Sequence, residues 1–152
     1  MKNYTIESLI PHRGKMKLID TILSVNPQER SLTSRVTVTA QDTFYDQLLG
    51  GVPAYVSFEY MAQSISALSA ITDERKNPQP GVILSVSNLL CQQNIFPSDT
   101  TVTVQVKENC VVGDLYTFDC TASIDERQVV SCTLMVMETS SLEELLKQKE
   151  GA

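Results

Sequence analysis

The sequence predicts an α+β fold in which a curved antiparallel sheet of five or six strands wraps around one long central helix. The first observation is a nearly continuous apolar segment, residues 53–72, which carries a single charge and is followed by a charged stretch containing proline. Apolar character on almost every side marks a helix enclosed by other structure. The second observation is a series of alternating segments before and after it, which indicates half-buried strands. The sheet must therefore curl around the helix, and a second subunit would cover any apolar edge that remains.

The chain before the central helix predicts a short helix and a hairpin. Residues 5–9 are expected to form the helix, which ends at the sequence Pro11-His12-Arg13-Gly14. Residues 16–25 and 31–40 are predicted strands, and they should pair with each other because they follow one another closely. Residues 41–52 are expected to be irregular and to end in Gly50-Gly51, a pair that permits close backbone approach.

The central helix and the strands after it complete the predicted fold. Pro53 suits the first position of a helix that runs to Thr72, with a length of about 30 Å. A loop at residues 77–81 precedes three or four strands and a terminal helix from Ser141 to near Gly151. The candidate strands are residues 82–92, 100–112, 115–124 and 128–139. Because no repeat or linker interrupts this series, residues 1–152 are expected to form a single domain.

Composition argues against several classes of function. The net charge of -6 disfavours nucleic acid as the main partner, because phosphate binding is driven by cationic side chains. The first ten residues lack an apolar core of signal-peptide length, and the long helix is too polar to face lipid. A cytoplasmic protein without a membrane segment is therefore expected. The four cysteines form no C-x-x-C pair, so they are expected to be reduced thiols rather than metal ligands.

The single charge in the predicted helix, Glu59, is the first candidate for chemistry. It is either an ordinary glutamate that points at solvent or at a partner, or a half-buried carboxylate held for acid/base work. Burial would support the second interpretation, since desolvation raises the pKa of a carboxyl group. Gln63 follows four residues later on the same helical face, so it could orient Glu59 or a ligand.

Three stretches of the chain carry a family resemblance. They are Leu9-Ile10-Pro11-His12-Arg13 with Leu18-Ile19-Asp20, then Val52-Pro53-Ala54-Tyr55-Val56 with Glu59 and Met61-Ala62-Gln63, and finally the turn Pro97-Ser98-Asp99. This series resembles the bacterial 3-hydroxyacyl-acyl-carrier-protein dehydratases of fatty-acid synthesis. The resemblance implies a hotdog fold and a catalytic role for Glu59. The stretch from Gly51 to Gln63 is similar, more closely still, to a divergent dehydratase-like branch found in gene clusters for aryl polyene pigments.

Two departures from the family pattern affect the expected chemistry. The ordinary dehydratases carry a catalytic histidine in a His-Phe-Pro-Gly motif, and counting back from Glu59 places Tyr45 at that position. His12 is the only histidine in this chain, and the matching histidine of the ordinary enzymes is not the catalytic one. In addition, Gln92-Gln93 stands where those enzymes tend to have basic residues that could meet an acidic carrier protein.

Dehydration of a 3-hydroxyacyl thioester needs a base beside the thioester carbonyl and an acid at the departing hydroxyl. Glu59 could act on the hydroxyl. His12 could be the base if the opening segment folds over the start of the helix, or it could simply bond the backbone beside Pro11. Tyr45 could donate a proton, although an ordinary tyrosine pKa of about 10 makes it a poor base.

The substrate is expected to contact Gln63, Tyr45 and the start of the central helix. Free N–H groups and the helix dipole would stabilise negative charge on the thioester oxygen there. The residues expected at this position are Pro53, Ala54, Tyr55 and Val56. A small basic cluster, Arg13, Lys15 and Lys17, could receive the phosphate or the acidic surface of a carrier protein, or could be a solvated strand end.

Three functions remain open at this point. The chain could be a 3-hydroxyacyl-[acyl-carrier-protein] dehydratase of fatty-acid or aryl polyene synthesis, with Glu59 and His12 as catalytic residues. It could instead be a catalytically degenerate subunit that pairs with an active dehydratase, or a hotdog thioesterase in which Glu59 activates water. The expected partners are an acyl carrier protein with a phosphopantetheine-linked acyl chain and a second hotdog subunit, identical or different. No metal or organic cofactor is expected.

Overall fold

A six-stranded antiparallel sheet and one long helix dominate the structure, a computed structural model that describes residues 5–73 and 81–150. The helices are α1 (Ile6–Leu9), α2 (Ser57–Thr72) and α3 (Thr139–Glu150), and 3₁₀ turns lie at Gly14–Met16 and Ala54–Val56. The strands are β1 (Thr21–Asn26), β2 (Ser31–Thr37), β3 (Gly51–Pro53), β4 (Gly81–Cys91), β5 (Ile95–Pro97), β6 (Thr101–Val112), β7 (Leu115–Ile124) and β8 (Arg127–Glu138).

The large sheet packs around α2. Its strand order is β1-β2-β6-β7-β8-β4, and β3 and β5 form a separate two-stranded sheet. Helix α2 contacts β2, β4, β6 and β7, and none of its 16 residues is fully exposed. The predicted α+β fold, with its sheet around one enclosed helix, is therefore confirmed, as is the pairing of the first two strands.

Alternation along the strands builds the core. In β6, Val102, Val104 and Val106 are buried and face α2, whereas the side chains between them are less buried or exposed. Strand β2 pairs with β6 so that Ser34 lies opposite Val104. The Ser34 hydroxyl is hydrogen-bonded to the hydroxyl of Ser64 on α2 at 2.7 Å, so a polar contact also joins the sheet to the helix.

Hydroxyl side chains of the helical segment bond back to its own backbone. The Ser57 Oγ donates to the Ala54 carbonyl at 2.7 Å, the Ser64 Oγ to the Tyr60 carbonyl at 2.8 Å, and the Thr72 Oγ1 to the Leu68 carbonyl at 2.8 Å. These bonds satisfy hydroxyl groups that would otherwise lie unpaired in or near the core.

Two predicted boundaries are wrong. The strand predicted at residues 16–25 begins only at Thr21, because the Gln63 side chain, and not a neighbouring strand, binds the backbone at Met16, Leu18 and Ile19. The α-helix begins at Ser57 and not at Pro53, because Pro53 has an extended backbone and ends β3.

Smaller differences concern the ends of other elements. The strand predicted to reach residue 40 ends at Thr37, and the terminal helix begins at Thr139, two residues before the predicted start. Residues 77–80 of the predicted loop and Gly151 lie outside the described residues, and Gly81 is the first residue of β4.

The close backbone approach expected at Gly50-Gly51 is confirmed. Strand β3 pairs with β5, so that Gly51 lies opposite Pro97. A Cβ atom at Gly51 would lie 2.3 Å from the Phe96 carbonyl oxygen. The pairing with β5, which no sequence pattern indicated, fixes the point at which the chain turns into α2.

Candidate active site

Glu59 lies in the first turn of α2 and is half-buried. An acidic side chain is stabilised there by the positive end of the helix dipole. Within residues 5–73 and 81–150, no side chain or backbone group forms a hydrogen bond with its carboxylate. The carboxylate therefore has its hydrogen-bonding capacity available for a ligand or a partner.

His12 lies within the electrostatic range of Glu59. Its Nδ1 atom is buried without a hydrogen-bond partner among the described residues. Burial lowers the pKa of His12 below its ordinary value of 6.5, the Glu59 carboxylate raises that pKa, and Arg13 lowers it. Since burial is the largest of these effects, His12 is mostly neutral at pH 7, the state in which a histidine can accept a proton.

The opening segment folds over α2. His12 could act as the base only in such an arrangement. Helix α1 packs against α2, and Ile10, directly after α1, is fully buried. The guanidinium of Arg13 donates from Nη1 to the carbonyls of Ile10 and His12, at 2.6 and 2.8 Å. The catalytic role of His12 stays a prediction.

Gln63 is fully buried and binds the backbone of the opening segment. Its Oε1 accepts hydrogen bonds from the N–H groups of Leu18 and Ile19 at 2.9 and 3.3 Å, and its Nε2 donates to the Met16 carbonyl at 2.7 Å. No bond joins Gln63 to Glu59 in the described part of the chain. All of its observed partners are main-chain groups. A contact between Gln63 and substrate remains a prediction.

The start of the helix offers fewer free N–H groups than expected. The Ala54 N–H donates to the Asn94 carbonyl at 2.8 Å, which continues the β3–β5 ladder, so it is not a free donor. The Tyr55 N–H lies in the first turn, where a helix provides no acceptor. The Tyr55 side chain is 69% exposed, whereas Ala54 and Val56 are buried and Pro53 is partly buried.

The other candidate residues differ in burial and in their bonding partners. Tyr45 is partly buried against the core, and its N–H donates to the Asp42 carbonyl at 3.0 Å. Arg13 and Lys15 are exposed. Lys17 forms a 2.7 Å ion pair with Glu7, and this ion pair lowers the pKa of Glu7. The basic cluster therefore presents Arg13 and Lys15 to solvent, while the charge of Lys17 is balanced.

Sequence reasoning missed a polar cavity beside Tyr60. The buried Tyr60 ring stacks on Phe96, with 6.3 Å between ring centroids, and it lines a cavity of ≈ 210 Å³. Burial raises the pKa of Tyr60, with smaller contributions from Asp42 and Asp20, so its hydroxyl remains protonated. The position of Tyr60 in an apolar helix indicates only a core residue. The cavity is formed by segments that are distant in sequence, so no local pattern indicates it.

A second, mainly apolar cavity lies further along α2. It is lined by Ile65, Ser66, Ser69 and Ala70 of the helix and by Tyr116, Phe118, Val136 and Met137 of β7 and β8. The rise of 1.5 Å per residue puts its helical wall about 9 to 16 Å from Glu59 along the axis.

Strand β4 forms one edge of the large sheet and presents apolar side chains to solvent. Leu84, Val86, Leu89 and Leu90 are all exposed, and Leu89 has 52% of its surface accessible. An unpaired edge strand offers backbone N–H and C=O groups for pairing with another chain. The apolar side chains would then be covered by that chain.

In the ranges 5–73 and 81–150, no three His, Cys, Asp or Glu side chains come together as a metal site. None of the described helices has the length and apolar character needed to cross a membrane.

Comparison with known proteins agrees with this architecture. The model of the ApeP-like family, described as ApeP dehydratase, matches residues 4–147. The 3-hydroxyacyl-[acyl-carrier-protein] dehydratase FabZ of Saccharophagus degradans is 26% identical over 149 residues, which cover 92% of this chain and 99% of the relative. The resemblance noted in the sequence, to dehydratases of fatty-acid synthesis and to the aryl polyene branch, is therefore confirmed.

Two solved structures share the hotdog fold of this chain. The dehydratase heterocomplex ApeI:P from Xenorhabdus doucetiae aligns with a TM-score of 0.83 and 20% identity, over 95% of this chain and 99% of that one. A hypothetical thioesterase with coenzyme A from Streptococcus pneumoniae TIGR4 aligns with a TM-score of 0.59 and 14% identity, over 78% and 84% of the two chains. The match of the family model over most of the sequence shows that the chain belongs to the ApeP-like dehydratase family.

Proposed function

We propose that this chain dehydrates a 3-hydroxyacyl thioester carried by an acyl carrier protein. The observation that supports the proposal best is the electrostatic interaction between His12 of the opening segment and Glu59 in the first turn of α2. Glu59 has a carboxylate free of hydrogen bonds within the described residues, and His12 has a buried nitrogen without a partner there. These two groups are the acid/base pair that the reaction requires.

The reaction consists of linked proton transfers. Neutral His12 takes a proton from carbon 2 of the acyl chain and passes it to the Glu59 carboxylate, which gives it to the hydroxyl on carbon 3. The bond from carbon 3 to the hydroxyl oxygen breaks, water leaves, and a double bond forms between carbons 2 and 3. His12 is then neutral and Glu59 is ionised again, so the pair ends as it began.

The surroundings of the pair suit a thioester substrate. The Tyr55 N–H at the helix start stabilises negative charge on the thioester oxygen during removal of the proton. From Glu59, the acyl chain runs along the half-buried side of α2 toward the cavity lined by Ser66 and Ser69. Exposed Arg13 and Lys15 attract the acidic surface or the phosphate of the carrier protein.

Mass spectrometry of the carrier-bound acyl chain tests this function. The purified chain, with its partner subunit where one is required, is expected to remove one water from a 3-hydroxyacyl-carrier-protein. Turnover is expected to persist at pH 7 and to fall as the pH is lowered beyond 6.5, because His12 must be neutral and burial lowers its pKa below 6.5. Release of free thiol without loss of water would contradict the proposal and indicate a thioesterase.

We further propose that the chain works as one half of a dimer with a different hotdog subunit. The ordinary catalytic histidine position holds Tyr45, so this chain and a partner with the complete motif would carry sites of different composition. The exposed apolar edge of β4 supports such pairing. The ApeI:P structure, described as a dehydratase heterocomplex, shares the fold of this chain.

A charge placed on the edge strand tests the dimer. We expect Leu89→Lys to weaken association by about a hundredfold or more, because it would bury an unpaired charge against the partner. Leu23→Lys is the matched control, since Leu23 lies on β1 at the opposite edge and is 45% exposed. Native mass spectrometry would measure association of the chain alone and mixed with the Xenorhabdus ApeI subunit. Equal dimer stability in both variants would contradict the assignment of β4.

We propose a cytosolic location for this dehydratase. All four cysteines are free thiols, including Cys120 and Cys132, which lie directly opposite each other in the β7–β8 register. Disulfides form and persist mainly in oxidising compartments. Free cysteines therefore support a reducing compartment.

A further inference from the structure

His12 lies on a segment that is fixed at both of its ends. We call residues 10–19 the strap, because they run between α1 and β1 across α2. At one end, Ile10 is fully buried in the core. At the other end, the backbone of residues 16–19 is bonded to the side chain of Gln63. His12 lies between these two fixed points.

Gln63 is the buried attachment of the strap to the central helix. Its amide makes three hydrogen bonds to backbone groups 44 to 47 residues away in sequence. The other polar attachments of the strap are more exposed: the Thr43 Oγ1 donates to the Lys15 carbonyl at 2.9 Å, and Lys17 pairs with Glu7 at 2.7 Å. Exposed polar contacts contribute little to stability, whereas a buried hydrogen-bonded amide holds its partners firmly.

Glu59 and Gln63 are four residues apart, one turn along the same helix. The helix therefore carries both the carboxylate of the site and the amide that fixes the strap. We infer that Gln63 is a positioning residue, which holds His12 beside Glu59 by binding the backbone at residues 16–19. This inference rests on the proposed function only in taking His12 as the base, and the geometry it describes can be measured without substrate.

The single histidine makes the inference directly testable by NMR. Because His12 is the only histidine, its imidazole gives one titration curve in the full-length protein. The charged groups that act on it among the described residues are Glu59 of α2 and Arg13 of the strap. In the otherwise unchanged protein, Glu59→Gln is expected to lower the pKa of His12, since it removes a carboxylate that raises that pKa.

In a Gln63→Met background, the effect of Glu59→Gln on His12 is expected to be lost. The pKa of His12 should also move back toward 6.5, because a released strap exposes the imidazole. The amides of Leu18 and Ile19 should exchange with solvent about tenfold faster or more. An unchanged response of His12 to Glu59→Gln would overturn the inference.

The matched control is Ser64→Ala, one residue further along the helix. Ser64 is also buried and hydrogen-bonded, but its partners are Ser34 and the Tyr60 carbonyl rather than the strap. This variant is expected to lose stability and to keep the coupling between His12 and Glu59. Loss of coupling in Ser64→Ala as well would show a general structural effect and overturn the specific role of Gln63.

Two further measurements keep the test decisive. Gln63→Asn retains an amide, but its side chain is one methylene shorter and cannot reach the strap. This variant is used in place of Gln63→Met if Gln63→Met does not fold. The same loss of coupling between His12 and Glu59 is expected. In the unmodified protein, the amides of Leu18 and Ile19 must be protected from exchange, and rapid exchange would overturn the inference. A protein that shows the coupling but no dehydration would contradict the proposed function and leave the role of Gln63 intact.

Discussion

Glu59→Gln is expected to reduce the dehydration of a 3-hydroxyacyl-carrier-protein by about a hundred- to ten-thousand-fold. Glutamine has nearly the same shape but cannot exchange a proton, and a positioned acid/base group contributes a factor of that order. Thermal unfolding should change little, because the half-buried carboxylate makes no hydrogen bond within the described residues. Mass spectrometry of the acyl-carrier-protein would measure the loss of turnover.

The control for this substitution is Glu29→Gln. Glu29 is an exposed glutamate in the turn between β1 and β2, so its replacement removes the same charge far from the site. Its turnover is expected to equal that of the unmodified chain. If Glu59→Gln retained full activity, both in the chain alone and with a partner subunit, Glu59 would not be a catalytic residue.

Gly51→Ala is expected to destabilise the fold by about 3 kcal/mol. The added Cβ would lie 2.3 Å from the Phe96 carbonyl oxygen, 2.6 Å from Ile95 Cγ2 and 2.9 Å from the Phe96 carbonyl carbon. Two of these atoms belong to the backbone of β5, so the strand itself must move. For a domain of this size, the melting temperature should fall by about 10 °C, as measured by circular dichroism.

Gly81→Ala is the matched control for this effect. Among the described residues, a Cβ at Gly81 would meet only the Met137 carbonyl oxygen, at 3.8 Å, which is an ordinary contact. Gly81 also lies in a strand, where alanine is the more favourable residue by about 0.5 to 1 kcal/mol. Its melting temperature is expected to be unchanged or slightly higher. Similar losses in the two variants would show that contact with β5 is not the cause.

The fold could be predicted from sequence because its strongest signals are local. In β6, the alternation of Val102, Val104 and Val106 with polar residues indicates a strand with one buried face, and the structure buries those valines. The apolar segment that contains Ser57 and Leu68 likewise indicates an enclosed helix. A sheet curved around such a helix is the simplest way to bury the apolar face of the strands and the apolar helix together. The architecture therefore follows from the strand pattern and the helix pattern.

The details of the site depend on contacts between distant segments, which no local pattern contains. Helical spacing predicts that Gln63 could orient Glu59 or a ligand, because spacing alone indicates only which residues share a face. Its bonds to Met16, Leu18 and Ile19 depend on how the opening segment crosses the helix. The extended Pro53 depends on pairing with β5 in the same way, since an isolated Pro53 suits the first position of a helix equally well.

The hydroxyl groups of the helical segment have a consequence for how the central helix is stabilised. Serine and threonine side chains compete with the helical backbone for hydrogen bonds, so the segment has weak helical preference by itself. The bonds of Ser57, Ser64 and Thr72 to preceding carbonyls are made inside or beside a core that exists only once the strands surround it. We therefore expect α2 to take most of its stability from packing against the surrounding sheet. The positions of Glu59 and Gln63 then depend on that packing as well.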